Sequence, residues 1–397
     1  MPITAIVPAL YSWQTENTPS SFFISAKIKL ECYRLNAGFY QTAQLALKNA
    51  RYKTGLARAA RGKSKIKGMQ IRILAAADVR RALPMAAAIG GMKDAYAQLS
   101  AGSAHVPLRL RVSVPEPPGV SLIMPAFMQR TGDLAVKVVS VFNDNPARGL
   151  PLIYGVVLAL DPATGQPLAL LEGGSLTAIR TGAGAGAATD LLALPNCQTA
   201  AIIGSGVQAR TQLEAICTVR KVRSVRVYSP NAQHASAFAE AMRAQGPIPQ
   251  DVQAVASAAA AVRGADIICA ATTAHTPVFS GRDLQPGAHV NGVGSFTPQM
   301  QEIDLETIQR ALVTVDSRAS AWEEAGDLIQ PLRAGSITTD IIHAELGEVL
   351  RGTKTGRTTN EQITFFKGCG SAAQDAVAAR IAVNNAALLN LGTLVEL

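Results

Sequence analysis

The chain has 397 residues, of which 48% are hydrophobic and 16% charged, with a formal net charge of +9. This apolar content excludes a disordered protein, and the length is sufficient for two or three domains with cores of their own. The longest apolar stretch, residues 150–160, is too short to cross a bilayer, so no membrane segment is expected.

The positive charge is concentrated in residues 1–68, which contain eleven basic and two acidic residues. The other 329 residues contain 26 residues of each sign, so the body of the protein is neutral and no nucleic-acid partner is expected. Residues 1–68 form a basic extension. Its composition is compatible with organelle targeting, but we favour a true translation start at Met69.

The five cysteines are scattered, with no CxxC pair and no metal-ligand spacing. They indicate a reducing compartment, which we take to be the cytoplasm, and no metal site. Cys217 and Cys269 lie in apolar runs and are expected in the core. The histidines are also isolated, which favours core or solvent positions over catalysis.

The chain from Met69 begins with a predicted strand over residues 70–74, after which Asp78 is expected to cap a helix over 79–99. A β-branched run over 134–139 then predicts a strand that carries Lys137. A lysine in such a strand most often faces solvent, because alternate residues point to opposite faces of the sheet.

Residues 176–181 predict a helix that carries Thr177, Arg180 and Thr181 on one face. Residues 182–189 continue it with glycine and alanine almost throughout, which predicts close packing against a neighbour. An arginine on such a helix is expected to face a site rather than solvent, and its guanidinium group suits a carboxylate.

The most specific signal is a GxGxxA turn at residues 204–209, which directly follows an apolar strand over 199–203. A helix over 207–219 and a second strand over 224–228 complete a βαβ unit. In such units the glycine-rich turn and the helix N-terminus hold the pyrophosphate of a dinucleotide. Further alternating helices and strands follow as far as residue 316. The pattern predicts an α/β fold with a Rossmann-type doubly wound parallel sheet.

The tip of the second strand usually selects between the two nicotinamide cofactors, through an acidic residue for NAD or an arginine for NADP. Here the tip reads Ser229-Pro230-Asn231 and carries neither group. Because no carboxylate repels a 2′-phosphate, the sequence favours NADP(H) over NAD(H).

Several ordered blocks resemble the ornithine cyclodeaminase/mu-crystallin family from about Met69 to near the C-terminus. These blocks are residues 122–125, the Lys137 strand, and residues 176–181, 202–209, 286–290, 315–317, 324–327 and 366–370 with Asp375. The resemblance implies a homodimer and a second α+β domain for substrate binding and dimerisation. We assign residues 69–190 together with 320–397 to that domain and residues 191–319 to the Rossmann domain.

The resemblance also implies that Arg109, Lys137 and Arg180 bind the carboxylate of a small α-imino or α-amino acid, with Lys137 as the catalytic residue. The expected cofactor contacts are Thr177, Thr181, Gly204, Gly206, Val207, Gln208, Ala209, Ser229, Asn231, Thr272, Val293, Gly294 and Gly370. Glu323, Glu324 and Asp327 are interpreted as a helix-start and loop feature. Asp375 is taken to head a helix whose apolar face is an interface rather than a site.

One departure from the family pattern concerns the loop after residue 294. Cyclodeaminases carry an aspartate and a lysine there, whereas this chain has Phe296 and Met300. The sequence therefore favours the mu-crystallin branch and predicts reduction of Δ1-pyrroline-2-carboxylate or Δ1-piperideine-2-carboxylate with NAD(P)H. Three alternatives stay open: an ornithine cyclodeaminase, an amino-acid dehydrogenase similar to alanine dehydrogenase, and a non-catalytic NADP-dependent ligand-binding protein.

Overall fold

A computed structural model of the chain describes residues 68–397, which form one compact unit. The predictions for the basic extension, including a start at Met69, concern residues that lie almost entirely outside this range. No helix within residues 68–397 has the length and hydrophobicity needed to cross a membrane.

The strands and helices of the described range alternate along most of the chain. The strands are β1 Gln70–Leu74, β2 Ala104–His105, β3 Leu110–Val114, β4 Gly119–Met128, β5 Asp133–Phe142, β6 Ile153–Leu160, β7 Pro167–Glu172, β8 Thr199–Ile203, β9 Ser224–Tyr228, β10 Asp251–Ala254, β11 Ile267–Ala270, β12 His289–Gly292, β13 Ala311–Val315, β14 Ile342–Glu345, β15 Ile363–Lys367 and β16 Thr393–Glu396. The α-helices are α1 Ala76–Ala82, α2 Met85–Ser100, α3 Gly173–Leu192, α4 Val207–Val219, α5 Ala232–Met242, α6 Ala258–Val262, α7 Leu305–Arg310, α8 Arg318–Glu324, α9 Gly326–Arg333, α10 Leu346–Leu350 and α11 Ala372–Leu389.

The first sheet is mostly antiparallel, in the order β16-β1-β7-β6-β5-β4-β2, with β3 also paired to β4. Its inner face packs against α1, α2, α3 and α11, and their side chains form one hydrophobic core. The expected single helix over 79–99 is divided in two by Pro84, which lacks the N–H that an uninterrupted helix needs. Asp78 is not the cap, because Ala75 holds that position and donates its N–H to the Asp78 carboxylate at 3.1 Å.

The second sheet has the order β10-β9-β8-β11-β12-β15-β13-β14, and every neighbouring pair is parallel. Its central strands are buried on both faces. In β8, Ala201 and Ile203 join one core cluster while Ala200 and Ile202 join the other. This arrangement confirms the doubly wound parallel sheet. Cys217 and Cys269 are buried in one of the two clusters, as expected.

The predicted boundary between the domains at residue 320 is too early for the strands, because β14 and β15 hydrogen-bond within the parallel sheet. Helix α10, which lies between these two strands, packs against α2 and adds Leu346 to the core of the first sheet. Only α11 and β16 return to the first sheet after this point, and β16 pairs with β1. Because α11 begins at Ala372, shortly after β15 ends at Lys367, the first turn of this helix lies close to the end of the parallel sheet.

Close packing of α3 against α4 connects the two sheets, as the glycine and alanine pattern predicted. A Cβ added to Gly182 would lie 2.5 Å from the carbonyl oxygen of Thr211, and one on Gly186 would crowd Ala215. Because only small residues allow this approach, the turn of α3 that carries Arg180 and Thr181 is held beside the N-terminal half of α4.

Candidate active site

One cavity of about 1260 Å³ lies between the two sheets and brings together most of the residues singled out in the sequence. Fourteen of the sixteen predicted site residues line it. The exceptions have other roles. Ala209 is fully buried in the core under α4, and the Asn231 side chain caps α5 by accepting the N–H groups of Gln233 and His234.

The glycine-rich turn after β8 opens onto one end of this cavity. Gly204 has φ +111°, and a Cβ there would lie 2.5 Å from the carbonyl oxygen of Ala271, so glycine is needed. Beside Gly206 a Cβ would meet no atom within 4 Å, which leaves its backbone open to a ligand. The unpaired amides at the start of α4 follow immediately, and such a helix start favours phosphate groups.

This end of the cavity is also the point where the strand order of the parallel sheet reverses. β8 lies between β9 on one side and β11 on the other, so a crevice forms at their carboxyl ends. Ser229 lies at the tip of β9, where its Oγ accepts a hydrogen bond from Ser205 Oγ at 3.2 Å. These features fit a dinucleotide with its pyrophosphate at the turn.

Lys137 lies at the other end of the cavity, on the inner face of β5, with a side chain that is 4% exposed. The expectation that it faces solvent was therefore wrong for this strand, although β5 does alternate and its neighbour Val138 is exposed. Burial lowers the pKa of Lys137 to about 8, while Asp375 acts to raise it and Arg180 and Arg109 act to lower it further.

Asp375 lies in the first turn of α11 and joins two of the predicted substrate-binding cations. Its Oδ1 accepts hydrogen bonds from Lys137 Nζ at 3.3 Å and from Arg180 Nε at 3.0 Å. Arg180 Nη1 also donates to Gln374 Oε1 at 3.1 Å. All three charged groups are buried. The sequence placed Asp375 at the head of an interface helix, but in the structure its carboxylate contacts two cations that line the cavity, so Asp375 is part of the site's surroundings.

Arg109 precedes β3 and pairs with a second carboxylate on the cavity wall. Its Nη2 lies 2.7 Å from Oε1 of Glu324, the last residue of α8. Burial raises the pKa of Glu324 to about 7, against the effect of Arg109 and with the help of Glu323 and Asp316. Glu324 is therefore part of the cavity rather than the loop feature expected from the sequence.

Asp316 supports the same wall from the end of β13. Its carboxylate accepts the backbone N–H groups of Ser317, Cys369 and Gly370, at 2.9, 2.9 and 2.6 Å. Gly370 has φ +89°, and a Cβ there would lie 2.5 Å from Arg180 Nη1. The glycine thus lets the loop after β15 lie directly against the Arg180 guanidinium.

Glu302, Asp327 and Lys367 form a buried network. It fixes the loop that follows β11 and the loop that follows β12, which border the middle of the cavity. Glu302 Oε1 accepts the N–H of Thr272 at 2.5 Å, and its Oε2 accepts the N–H of Gly294. Asp327 accepts the N–H of Glu302 at 2.7 Å and lies 3.0 Å from Lys367 Nζ. Thr272 and Gly294 are therefore held together although they follow different strands.

The net effect on Lys367 in this network is a raised pKa. Burial acts to lower it, but Asp327, Cys369 and Glu302 outweigh burial. No role for Glu302 or Lys367 is evident from the sequence alone. Lys367 lies within the family block at residues 366–370, whereas Glu302 lies in none of the blocks.

The loop after Gly294 places a phenyl ring where the resemblance expects an aspartate in cyclodeaminases. Phe296 lines the cavity and is about half exposed, whereas Met300 is buried and is not among the lining residues. No group of three or more histidine, cysteine, aspartate or glutamate residues within 68–397 has the arrangement of a metal site.

Comparison with known proteins gives a consistent result. A Δ1-pyrroline-2-carboxylate reductase of Bacillus cereus is 39% identical over 325 residues, covering 82% of this chain and 99% of the relative. The ketimine reductase mu-crystallin of Mus musculus is 35% identical over 280 residues, covering 70% and 85%. The solved structure of Thermococcus litoralis Δ1-pyrroline-2-carboxylate reductase, in complex with NADH and L-proline, matches with a TM-score of 0.77 and 40% identity, covering 81% of this chain and 99% of that one.

The family model of ornithine cyclodeaminase/mu-crystallin proteins matches residues 69–388, which is most of the range that the structure describes. The match includes every strand of both sheets except β16, and every charged residue placed in the cavity above. The chain therefore belongs to the ornithine cyclodeaminase/mu-crystallin family.

Proposed function

We propose that this protein is an NAD(P)H-dependent reductase of a cyclic α-imino acid, either Δ1-pyrroline-2-carboxylate or Δ1-piperideine-2-carboxylate. The products are L-proline or L-pipecolate. The observation that carries the proposal is the buried group of Lys137 and Arg180, with Arg109 nearby, in the cavity that the glycine-rich turn also lines. The named activities of the Bacillus and mouse relatives support it.

The substrate carboxylate is proposed to bind between Arg109 and Arg180. A guanidinium group can donate two parallel hydrogen bonds to a carboxylate, which fixes both distance and orientation. Asp375, Gln374 and Gly370 already hold the Arg180 side chain, so little freedom is lost when substrate arrives. Fixing the carboxylate fixes the adjacent C=N carbon as well, and this positioning lowers the barrier to reaction.

Lys137 is proposed to supply the proton to the imine nitrogen. A pKa of about 8 leaves the ammonium group protonated at neutral pH, yet makes it a better acid than an exposed lysine. The reaction requires one hydride at the ring carbon and one proton at the nitrogen, so that the C=N bond becomes CH–NH. Because protonated Lys137 is the active form, we expect the rate to fall as pH rises through about 8.

A nicotinamide cofactor, when bound, supplies the hydride. Gly204, Gly206 and the first amides of α4 would hold its pyrophosphate, and Thr272 and Gly294 would border its reactive end. NADP(H) is proposed over NAD(H) because the tip of β9 has no carboxylate to repel a 2′-phosphate.

The protein is also proposed to be a cytoplasmic homodimer. The outer face of the first sheet exposes apolar side chains in adjacent strands, including Val112, Val138, Tyr154 and Val156. Val138 and Val156 are paired in register, so they form part of one continuous face. Such a face is typical of a surface that another copy covers.

The test measures oxidation of NADPH and of NADH with each of the two imines. Arg109→Ala and Lys137→Ala are expected to remove most of the activity, and product analysis should identify L-proline or L-pipecolate. A parallel incubation with L-ornithine, assayed for ammonia and proline, tests the cyclodeaminase hypothesis, and proline formation with ammonia release there would overturn the proposal. Cofactor binding with no turnover of either imine would instead favour the ligand-binding hypothesis.

A further inference from the structure

Glu324 has no assigned role in the proposed reaction, although it touches a residue proposed to bind substrate. Its Oε1 lies 2.7 Å from Arg109 Nη2, and both side chains line the cavity. Glu324 is only 15% exposed, so water screens this pair less than it would a pair on the surface. The contact therefore affects the charge that an incoming substrate meets.

The charges at this end of the cavity nearly cancel before any substrate binds. Asp375 contacts both Lys137 and Arg180, and Glu324 contacts Arg109. Three cations thus pair with two carboxylates, and Asp316 adds further negative charge on the same wall, which leaves at most one uncompensated positive charge. The further cations that line the cavity, Arg80 and Arg210, are both exposed to solvent, where water and salt screen them.

We propose that Glu324 is a specificity-determining residue that restricts the substrate to imines with a single carboxylate. This inference rests on the proposed function, and it narrows the substrate class. A first carboxylate neutralises the one available positive charge. A second carboxylate on the same small ring cannot lie far from the first, so it meets Glu324 with no free cation to balance it.

The groups that face Glu324 strengthen this exclusion. Arg109 is its only direct cationic partner among the residues described, while Glu323 on the same helix and Asp316 at the end of β13 add negative charge. Cys369, after β15, is near enough for Glu324 to help raise the pKa of its thiol. The thiol is therefore neutral, and it gives no compensation to an additional anion.

The state of Glu324 supplies a test that a purely structural role would not pass. With a pKa of about 7, Glu324 loses its charge as pH falls, and the exclusion should weaken. Titration of Lys137 and of the imine affects both kinds of substrate, so it largely cancels in the ratio of their kcat/KM values. The kcat/KM for the imine with one carboxylate, divided by that for the imine with two, therefore depends mainly on the charge of Glu324.

The experiment compares Δ1-pyrroline-2-carboxylate with Δ1-pyrroline-2,5-dicarboxylate as substrates of the full chain. For the wild type we expect the ratio to be high at about pH 8.5 and to fall at about pH 6. Glu324→Gln should lower the ratio by about tenfold or more at the higher pH and make it nearly independent of pH. Glu323→Gln is the matched control, because it removes the same charge from the adjacent, exposed residue, which does not contact Arg109, and it should lower the ratio much less than Glu324→Gln does.

A binding measurement separates this inference from the proposed function. Calorimetry gives the Kd of L-proline and of pyrrolidine-2,5-dicarboxylate for the three proteins loaded with cofactor, without any turnover. Absence of imine reduction by the wild type would refute the proposed function alone. Equal wild-type affinity for the two ligands, or the same discrimination in Glu324→Gln as in the wild type, would overturn the role of Glu324.

Discussion

Asp375→Asn is the substitution that tests the arrangement of the cations most directly. The change keeps the shape of the side chain but removes the negative charge that contacts Lys137 at 3.3 Å and Arg180 at 3.0 Å. Because Asp375 acts to raise the pKa of Lys137, its loss should lower that pKa. The alkaline limb of the kcat/KM profile should then move toward lower pH.

The size of the effect follows from the distance. Two unit charges 3.3 Å apart at an effective dielectric constant of about 20 interact by about 5 kcal/mol. Asp375 shares its charge with Arg180, so only part of this acts on Lys137. Since one pKa unit corresponds to about 1.4 kcal/mol, we expect the midpoint to move from about 8 to about 6–7.

The assay is a pH–rate profile of imine reduction for the variant and the wild type, with unfolding in urea measured in parallel. Asp133→Asn is the matched control, because Asp133 pairs with Arg380 at 2.7 Å and joins the same two elements, β5 and α11. Both variants should lose about 3 kcal/mol of stability, since each leaves a buried or half-buried cation without its partner. An alkaline limb that stays in place in Asp375→Asn, or that moves equally in Asp133→Asn, would refute the reasoning.

Three further predictions concern single positions. Lys137→Gln should lower kcat by about 10²–10⁴ and flatten the alkaline limb of the profile, because it removes the proposed proton donor; an unchanged limb would point to a different acid. Gly204→Ala should cost about 1–3 kcal/mol in urea unfolding and raise the cofactor Kd in a fluorescence titration, because φ is +111° and the added Cβ meets Ala271. Lys367→Met should lower the free energy of unfolding by about 3–5 kcal/mol, since Asp327 loses its cation, and a stability equal to that of the wild type would contradict this.

The features that sequence alone could predict are those encoded within a short stretch of chain. The turn at 204–209 needs glycine for a local reason, its positive φ, and the strand before it and the helix after it show their own periodicity. Likewise, Thr177, Arg180 and Thr181 share a helix face because of helical geometry, and all three line the cavity. Such patterns can be read without knowing any other part of the fold.

The roles of Asp375 and Glu324 could not be predicted in this way, because each depends on a distant partner. Asp375 is 238 residues from Lys137 along the chain, and nothing near either residue indicates the other. An acidic residue in the first turn of a helix is ordinarily explained by the helix dipole. A carboxylate at the head of an otherwise alanine-rich buried helix was the available signal, because such a helix offers it no access to water.

The domain boundary was misjudged for a related physical reason. Strands β14 and β15 are short, and β15 adds to the parallel sheet between β12 and β13, which precede it in the chain. Insertion of a later strand between two earlier ones leaves no local mark in the sequence. The mostly apolar character of Ile363–Phe366, in which only Thr364 is polar, was the usable evidence, since such a run is typical of a strand covered on both faces.

The pairing of the cations with the two carboxylates also explains how the site can be assembled before substrate arrives. Burying Lys137 and Arg180 without a counter-charge would be costly, and Asp375 offsets that cost within the folded chain. Arg109 is more exposed, and its partner Glu324 has a raised pKa and can lose its charge near neutral pH. Lys137 and Arg180, which Asp375 holds in place, therefore form the fixed part of the site. The ion pair of Arg109 with Glu324 is the part that responds to pH and to the charge of the ligand. It follows that substitutions at Asp375 should affect turnover of every substrate, while substitutions at Glu324 should affect the choice among them.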